Sequence, residues 1–275
     1  MSSIMKFIPP LILTFLSCLL PVACEDAPPP PSKDYLIAGE KLEYVVKWMG
    51  IPAGEIVMTV DMDPDASTYE ISIRARTNTM TSWVYNVRDN ITSTLPANAF
   101  RTQRVARDLK EGRRHKIENL LFDSEGKKIT VTSRNVSAHE PATTREHSAP
   151  DSRTLDSVAA LFFLRTMDFS KEGATCHASV FEDKKCYTMA MTRVGQATLD
   201  MPAFGIRDTY IIEPSANFEG VFVTSGKLTM WVDCESLIPL RIKISIPIGW
   251  AMVELASSNH PKLISVSFRD RRGRR

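Results

Sequence analysis

The sequence predicts a mainly β protein in which a curved antiparallel sheet, a half-barrel or open barrel, wraps around one apolar helix near residues 152–167. Apolar residues alternate with polar ones over most of the chain, which is the period of a strand with one buried face. Turn-forming residues separate the alternating segments. A single segment is apolar on nearly every side at helical spacing, and that segment is the expected helix.

The first 23 residues have the order of a bacterial secretory signal peptide. Lys6 precedes an apolar run from Phe7 to Val22, and the small residue Ala23 follows. Such a run is too short and wrongly flanked for a stable membrane span. We therefore expect export to the periplasm or to the outer membrane of a bacterial envelope, where disulfides persist.

The processing of this segment leaves two alternatives open. Cys24 follows Ala23, which suits a lipidated cysteine at the mature N-terminus, and lipidation would tether the protein to a membrane. Pro21 stands where such sites normally carry Leu, so ordinary cleavage near Ala23 fits equally well. Residues 24–37 include four consecutive prolines and are predicted to form an extended linker.

A single β-rich domain is predicted over residues 38–268, followed by a basic tail at 269–275. Apolar side chains alternate through the first three segments, 41–48, 56–62 and 69–75, which indicates an antiparallel meander. The later strand-like segments are 88–95, 99–110, 114–122, 128–133, 174–181, 186–193, 196–201, 207–213, 226–233, 238–247, 250–256 and 262–268.

One polar stretch and one apolar stretch interrupt the strands. Residues 134–150 are polar and contain prolines, which predicts a long surface loop. Asp151 or Ser152 is the expected N-cap of the helix that follows. Because this helix is apolar on most of its circumference, the simplest place for it is inside the curved sheet.

Composition and motifs give no support to an enzyme. The formal net charge of +2 predicts no electrostatic preference for nucleic acid. The five histidines show no metal-ligand spacing, and no phosphate loop, dinucleotide fingerprint or nucleophile elbow occurs. Ser124 and Lys127 formally match a Ser-x-x-Lys motif, but they fall on a hairpin turn. We therefore expect a non-enzymatic protein without cofactor or metal, and a hydrolase is the least favoured alternative.

The body of the chain contains three cysteines, at positions 176, 186 and 234. If Phe181 pairs with Cys186 across a hairpin, Cys176 lies opposite Met191, and the first two sulfurs are too far apart for a disulfide. Either of them can still meet Cys234 across the sheet, so the disulfide state stays open.

Two sets of residues are candidates for a ligand site. Aromatic and methionine side chains on the presumed inner faces would line a cavity for a lipid or other hydrophobe, with core packing as the alternative interpretation; they are Trp48, Met58, Trp83, Tyr85, Phe162, Trp231 and Trp250. Charged residues in apolar contexts would anchor a ligand headgroup, or instead form a buried Asp–Arg pair between helix and sheet; they are Arg88, Asp89, Asp156 and Arg165.

Several loose motifs, taken in order, resemble a bacterial family catalogued as domain of unknown function 3108. They are Gly39–Tyr44, Trp48–Glu55, Val84–Asp89, Leu121–Asp123, Leu155–Val158, Leu164–Arg165, Lys227–Asp233, Ile238–Ile242 and Ile248–Leu255. The resemblance implies an exported, β-rich protein and supplies no catalytic residues. Its expected shape is similar, by analogy of architecture alone, to the half-barrels of lipoprotein carriers. Export, the strand-rich chain and the helix that is apolar on nearly every side predict an envelope protein that binds a lipid, another hydrophobic ligand or a lipoprotein. A structural or interaction module with a packed core is the alternative.

Overall fold

The computed structural model describes residues 35–83, 85–123, 125, 127–217, 228–245 and 249–263. The predicted signal peptide, Cys24, most of the linker, the basic tail and the segment 264–268 lie outside these residues. So do Ser124 of the Ser-x-x-Lys match and Val84 within one of the family-like motifs.

Within the described residues, fifteen strands form one sheet, with two short helices. The strands are β1 (Glu40–Trp48), β2 (Ile51–Asp63), β3 (Thr68–Thr77), β4 (Val87–Pro96), β5 (Arg104–Glu111), β6 (Arg114–Phe122), β7 (Lys128–Asn135), β8 (Thr143–Ser148), β9 (Leu155–Asp156), β10 (Thr175–Glu182), β11 (Lys185–Met201), β12 (Gly205–Asn217), β13 (Leu228–Asp233), β14 (Pro239–Ser245) and β15 (Trp250–Ser258). The helices are α1 (Thr79–Ser82) and α2 (Ser157–Phe163), and a 3₁₀ turn, Leu164–Thr166, continues α2.

The sheet is curved and open, as the sequence predicts. Its strand order is β8-β7-β6-β5-β4-β3-β2-β1-β15-β14-β13-β12-β11-β10-β9, so the first and last strands are neighbours in the middle. Neighbouring strands are antiparallel except β9 and β10, which are parallel. The free edges are β8 and β9, and the sheet does not close into a barrel.

Alternation along the strands creates the inner, buried face of the sheet. In β1, Leu42, Tyr44 and Val46 are buried, and Tyr44 and Val46 lie opposite Leu255 and Val253 of β15. Residues directly opposite on antiparallel strands share a face, so this pairing continues one apolar surface across the join. The helix α2 packs on that surface and buries Val158, Ala159, Ala160, Phe162 and Phe163.

The helix and the loop before it differ in extent from the prediction over 152–167 and 134–150. Leu155 and Asp156 pair with β10 as a short strand, so the helix begins at Ser157, and its N-cap is Asp156 rather than Asp151 or Ser152. Residues 143–148 form the edge strand β8 instead of a loop. Among the described residues, no helix has the length and apolar character needed to cross a bilayer.

The hairpin of β10 and β11 has the register expected from its turn. Phe181 lies opposite Cys186, and Cys176 lies opposite Met191. None of the three cysteines of the described residues, at positions 176, 186 and 234, forms a disulfide bond. The pairing with Cys234 that the sequence left open is therefore not made in this structure.

Candidate functional site

A cavity of about 260 Å³ lies between α2 and the inner face of the sheet. Its lining is almost entirely apolar and comes from both halves of the sheet and from the helix. The main lining residues are Val46, Ile56, Met58, Ile73, Ala75, Val87 and Ile91 on one side, Val158, Ala160 and Leu161 on α2, and Val180, Tyr187, Met189, Met191, Met230, Ile242, Ile244 and Val253 on the other side.

Asp156 fixes the N-terminal end of α2 beside this cavity. The side chain is fully buried, and its Oδ1 accepts a hydrogen bond from the backbone N–H of Val158 at 2.8 Å. Its Oδ2 accepts hydrogen bonds from Ser93 Oγ at 2.5 Å and Thr102 Oγ1 at 2.7 Å. One carboxylate thus satisfies the helix end and joins it to β4 and to the loop before β5.

Arg165 holds the other end of the helix to the start of β1. Its Nη1 donates to Glu40 Oε2 at 2.6 Å and to the carbonyl oxygen of Tyr35 at 3.3 Å. The guanidinium also lies over the Phe162 ring at 4.4 Å from the ring centroid. Asp156 and Arg165 therefore lock the helix through separate partners and do not pair with each other.

A buried charge network that the sequence analysis did not find lies at the polar corner of the cavity. Arg107 donates two hydrogen bonds to Glu182, both at 2.9 Å, and lies 3.8 Å from Glu118. The pair joins β5 to β10 across the interior, and Glu182 and Ser157 both line the cavity. Burial raises the pKa of the Glu182 carboxyl, and the neighbouring Arg107 opposes that rise.

The mouth of the cavity lies where β2 begins and β3 ends. Glu55 and Arg76 are exposed, Thr77 is half-buried, and all three belong to the lining. Gly54 lies between Ala53 and Glu55 at this edge, and a side chain there would collide with the backbone of β3, because a Cβ would approach Arg76 O to 2.2 Å. Only a glycine therefore lets the two strands meet at the mouth.

The predicted ligand-contacting residues are spread over different environments. Met58 is buried and lines the cavity, and Phe162 is buried beneath Arg165 outside the lining. Trp48 is half-buried at the end of β1, opposite the lining residue Ala251. Trp83 is 90% exposed, which overturns its expected place on an inner face.

Three further aromatic residues lie away from the cavity lining. Because side chains alternate between the two faces along β13, Trp231 lies on the outer face of the sheet and Met230 on the inner face. Trp231 is directly opposite Arg241 of β14. Trp250 shares the outer face with Met252 and Glu254, so neither tryptophan lies on the inner face where it was expected. Tyr85 is half-buried against Gly112, where a side chain would meet the ring at 3.0 Å.

The neighbours Arg88 and Asp89 point to opposite faces of β4. Arg88 is exposed on the outer face, whereas Asp89 is buried on the inner face and accepts a hydrogen bond from the Lys110 N–H at 2.9 Å. Burial raises the pKa of Asp89 to about 6. Glu111, opposite the lining residue Val87, has its pKa raised to about 7 by burial and by the nearby Asp89.

The described residues contain no cluster of metal ligands, and the pKa of neither Cys186 nor Cys234 is lowered. No group of three or more His, Cys, Asp or Glu side chains in these ranges is arranged to hold a metal ion. Burial raises the pKa of the Cys186 thiol to about 11, and burial also raises that of Cys234. Both cysteines are thus kept in the thiol form, which is a weak nucleophile.

Comparisons with known proteins agree with the architecture. The model of the family "Protein of unknown function (DUF3108)" matches residues 43–256. No curated protein matches the chain. A solved structure, the β-barrel-like protein of domain of unknown function DUF1849 from Brucella abortus, is similar with a TM-score of 0.54 at 8% identity. The alignment covers 81% of this chain and 98% of that one, which shows a shared fold only. With most of its length matched by the family model, the chain belongs to the DUF3108 family of proteins of unknown function.

Proposed function

We propose that this protein is an exported, non-enzymatic protein of the bacterial envelope that binds a lipid or another hydrophobic ligand between α2 and the sheet. The observation that carries the proposal is the apolar cavity of about 260 Å³ between the helix and the sheet. A fully packed core, as a purely structural module requires, would have filled that space with side chains.

The size and chemistry of the cavity favour an apolar guest. Pockets for small ligands occupy roughly 300–1,000 Å³, and an apolar cavity of about 150 Å³ is already large enough to bind benzene. The lining includes Met58, Met189, Met191 and Met230, whose flexible side chains adapt to guests of different shape. Water gains few hydrogen bonds in such a space, so an apolar molecule displaces it favourably.

The polar corner suggests how a ligand would be oriented. Glu182 and Ser157 are the polar members of the lining near the N-terminus of α2, and Arg107 neutralises Glu182 from behind. A hydroxyl or amide group of the ligand can donate to this corner while the apolar part occupies the remaining volume. Export is supported by the signal-like order of residues 1–23.

The proposal is tested with the fluorescent hydrophobe N-phenyl-1-naphthylamine and a cavity-filling variant. Ala160 is buried and lines the cavity, so Ala160→Phe puts a ring into the guest volume. We expect this variant to lose at least about tenfold in probe affinity, since a filled cavity excludes the guest. The matched control is Ala138→Phe, which adds the same ring at an exposed position and is expected to bind like the wild type.

Mass spectrometry of protein purified from its own host identifies the natural guest. A co-purifying lipid that is retained by the wild type and by Ala138→Phe, but not by Ala160→Phe, supports the proposal. Protein that is always recovered empty and does not bind the probe contradicts it and favours a structural or interaction module.

A further inference from the structure

The strongest unexplained surface feature is a group of four exposed apolar side chains. Met49, Ile51, Met80 and Trp83 are exposed by 53%, 59%, 81% and 90% of their surface. Exposed apolar residues scattered singly need no explanation, but a cluster indicates contact with an apolar partner. We call these four residues the mouth patch.

All four residues lie near one side of the mouth of the cavity, where β2 begins and β3 ends. The N–H of Asn78 donates to Ala53 O at 2.9 Å, and Asn78 Nδ2 donates to Pro52 O at 2.7 Å, which ties the start of α1 to the start of β2. Ala53 and Thr77 line the cavity, so Ile51 and Met80 are within three residues of its rim. Trp83 follows α1 directly, and α1 lies between Thr77 and the lining residue Val87.

Met49 joins the same rim from the last strand. Its N–H donates to Trp250 O at 2.9 Å, next to the lining residue Ala251. Its side chain also covers Gly249, where an added Cβ would approach Met49 Sδ to 2.7 Å. The mouth patch is therefore continuous with the apolar interior instead of being a separate surface feature.

Cations lie beside the mouth patch on the outer face of the sheet. Arg76 is directly opposite Arg88, and Arg88 is directly opposite Lys110, so three like charges occupy one row across β3, β4 and β5. Like charges placed opposite each other destabilise a sheet. Lys110 pairs with Asp108 at 3.2 Å and Glu55 lies opposite Arg76, whereas Arg88 makes no ion pair with any described residue.

The turn of β5 and β6 adds to this charge. Arg113 and Arg114 are exposed there, directly after Gly112, against which Tyr85 lies. An apolar patch of Trp and Met with a border of Arg and Lys is the composition of surfaces that insert at an anionic bilayer interface.

We propose that the mouth patch docks on an anionic membrane surface, with Trp83 and Met80 entering the interfacial region and Arg88 contacting lipid headgroups. The cavity mouth would then open onto the bilayer, and an apolar guest could pass without crossing water. The inference goes beyond ligand binding, because membrane docking does not require an occupied cavity.

Flotation with vesicles tests the docking. Residues 25–275 are mixed with vesicles of phosphatidylcholine alone or with 30 mol% phosphatidylglycerol (about one lipid in three) at low ionic strength. This chain lacks the apolar leader and Cys24, so neither an uncleaved signal nor an acyl anchor contributes. We expect binding to the anionic vesicles, with a partition coefficient lowered at least about tenfold in Met80→Ser/Trp83→Ser.

Matched variants separate docking from general adhesion. Ile206→Ser removes an apolar side chain that is 71% exposed, at the opposite end of β12 from the lining residue Pro214. We expect its partition coefficient to change less than twofold (about 0.4 kcal/mol). Trp83→Phe keeps the apolar character and is expected to retain binding. Arg88→Glu should weaken binding to anionic vesicles about fivefold or more, whereas Arg104→Glu, at the far end of β5, should not. The basic tail contributes equally to every variant.

Three results would overturn the docking proposal. They are no binding to anionic vesicles, equal binding to both compositions, and unchanged binding of Met80→Ser/Trp83→Ser. The Ala160→Phe variant distinguishes this proposal from ligand binding: it should float with anionic vesicles like the wild type even though it no longer binds the probe.

Discussion

At the scale of single residues, the acidic pair on the inner face near the mouth is the most pH-sensitive feature. Asp89 is 4% exposed, and burial raises its pKa from 3.8 to about 6. Glu111 is half-buried, and burial together with Asp89 raises its pKa to about 7. The folded state therefore binds protons on these carboxyls more readily than the unfolded chain does, and the two groups lower stability as the pH rises from about 4 to about 7.

Asp89→Asn is expected to remove the pH dependence that comes from Asp89 and part of that from Glu111, because Asp89 also raises the pKa of Glu111. The amide stays neutral, and its oxygen can still accept the hydrogen bond from the Lys110 N–H. The free energy of unfolding of the variant should equal that of the wild type near pH 4 and exceed it by roughly 1–3 kcal/mol at pH 8, since one unit of pKa corresponds to about 1.4 kcal/mol. Urea unfolding from pH 4 to pH 8 measures the difference.

The control for this pH series is Asp65→Asn, which changes an exposed carboxyl in the turn between β2 and β3. The difference in free energy of unfolding between this variant and the wild type should stay nearly constant over the same pH range. If Asp89→Asn changed the free energy of unfolding by the same amount at every pH, the pKa of Asp89 would not be raised in the folded protein.

At the scale of elements, the N-cap residue Asp156 joins α2 to the sheet. Asp156 bonds to backbone N–H groups of the helix and to the hydroxyls of Ser93 and Thr102, and all of these groups are buried. Removing the carboxylate leaves several buried donors without an acceptor, which costs more than the loss of an exposed cap. The same bonds set the position of Ser157 at the polar corner, where its side chain hydrogen-bonds to Glu182.

Asp156→Ala should lower the free energy of unfolding by about 2–4 kcal/mol, the sum of a lost cap and unsatisfied hydroxyls. Asp156→Asn should lower the free energy of unfolding less, because the amide oxygen still accepts a hydrogen bond from the Val158 N–H. The matched control is Asn78→Ala, which removes the cap of the exposed helix α1 and should cost about 1 kcal/mol. Equal losses for Asp156→Ala and Asn78→Ala would contradict this account; urea unfolding provides the comparison.

At the scale of the whole molecule, the sequence predicts those features that depend on neighbouring residues. Alternation and turns suffice for the antiparallel strands, and the register of Phe181 with Cys186 follows from a turn of four polar residues. The edge strand β8 escapes prediction, because Thr143–Ser148 faces solvent and carries no apolar alternation. The ion pair of Arg107 and Glu182 also escapes, since its partners are 75 residues apart in the chain.

The mouth of the cavity also depends on contacts between residues that are distant in the chain. Trp83 looks like a core residue in the sequence, since it stands in a mostly apolar context between predicted strands. The hydrogen bonds from Asn78 to Pro52 and Ala53 place α1, and with it Trp83, on the rim. Long-range pairing of this kind leaves no periodic pattern along the chain, so pattern analysis cannot find it.

The strand order has a consequence for how this chain can be rearranged. Starting at β9, running through β15 and continuing with β1 to β8, every strand would be followed by its spatial neighbour. The two ends of the described residues lie close together, because Tyr35 and His260 are both near Arg165 and Asn259 Nδ2 donates to Gly39 O.

A circular permutant that joins residues 263 and 35 and opens between Ala149 and Pro150 should therefore fold. The pairing of β1 with β15, now between positions more than 200 residues apart, would become a local contact. We expect folding at least as fast as that of the parent in stopped-flow refolding, since lower contact order speeds folding. A permutant that stays unfolded would show that the connection between β8 and β9 is needed to assemble the sheet, whereas a folded one would show that the sheet assembles when every strand is followed in the chain by its spatial neighbour.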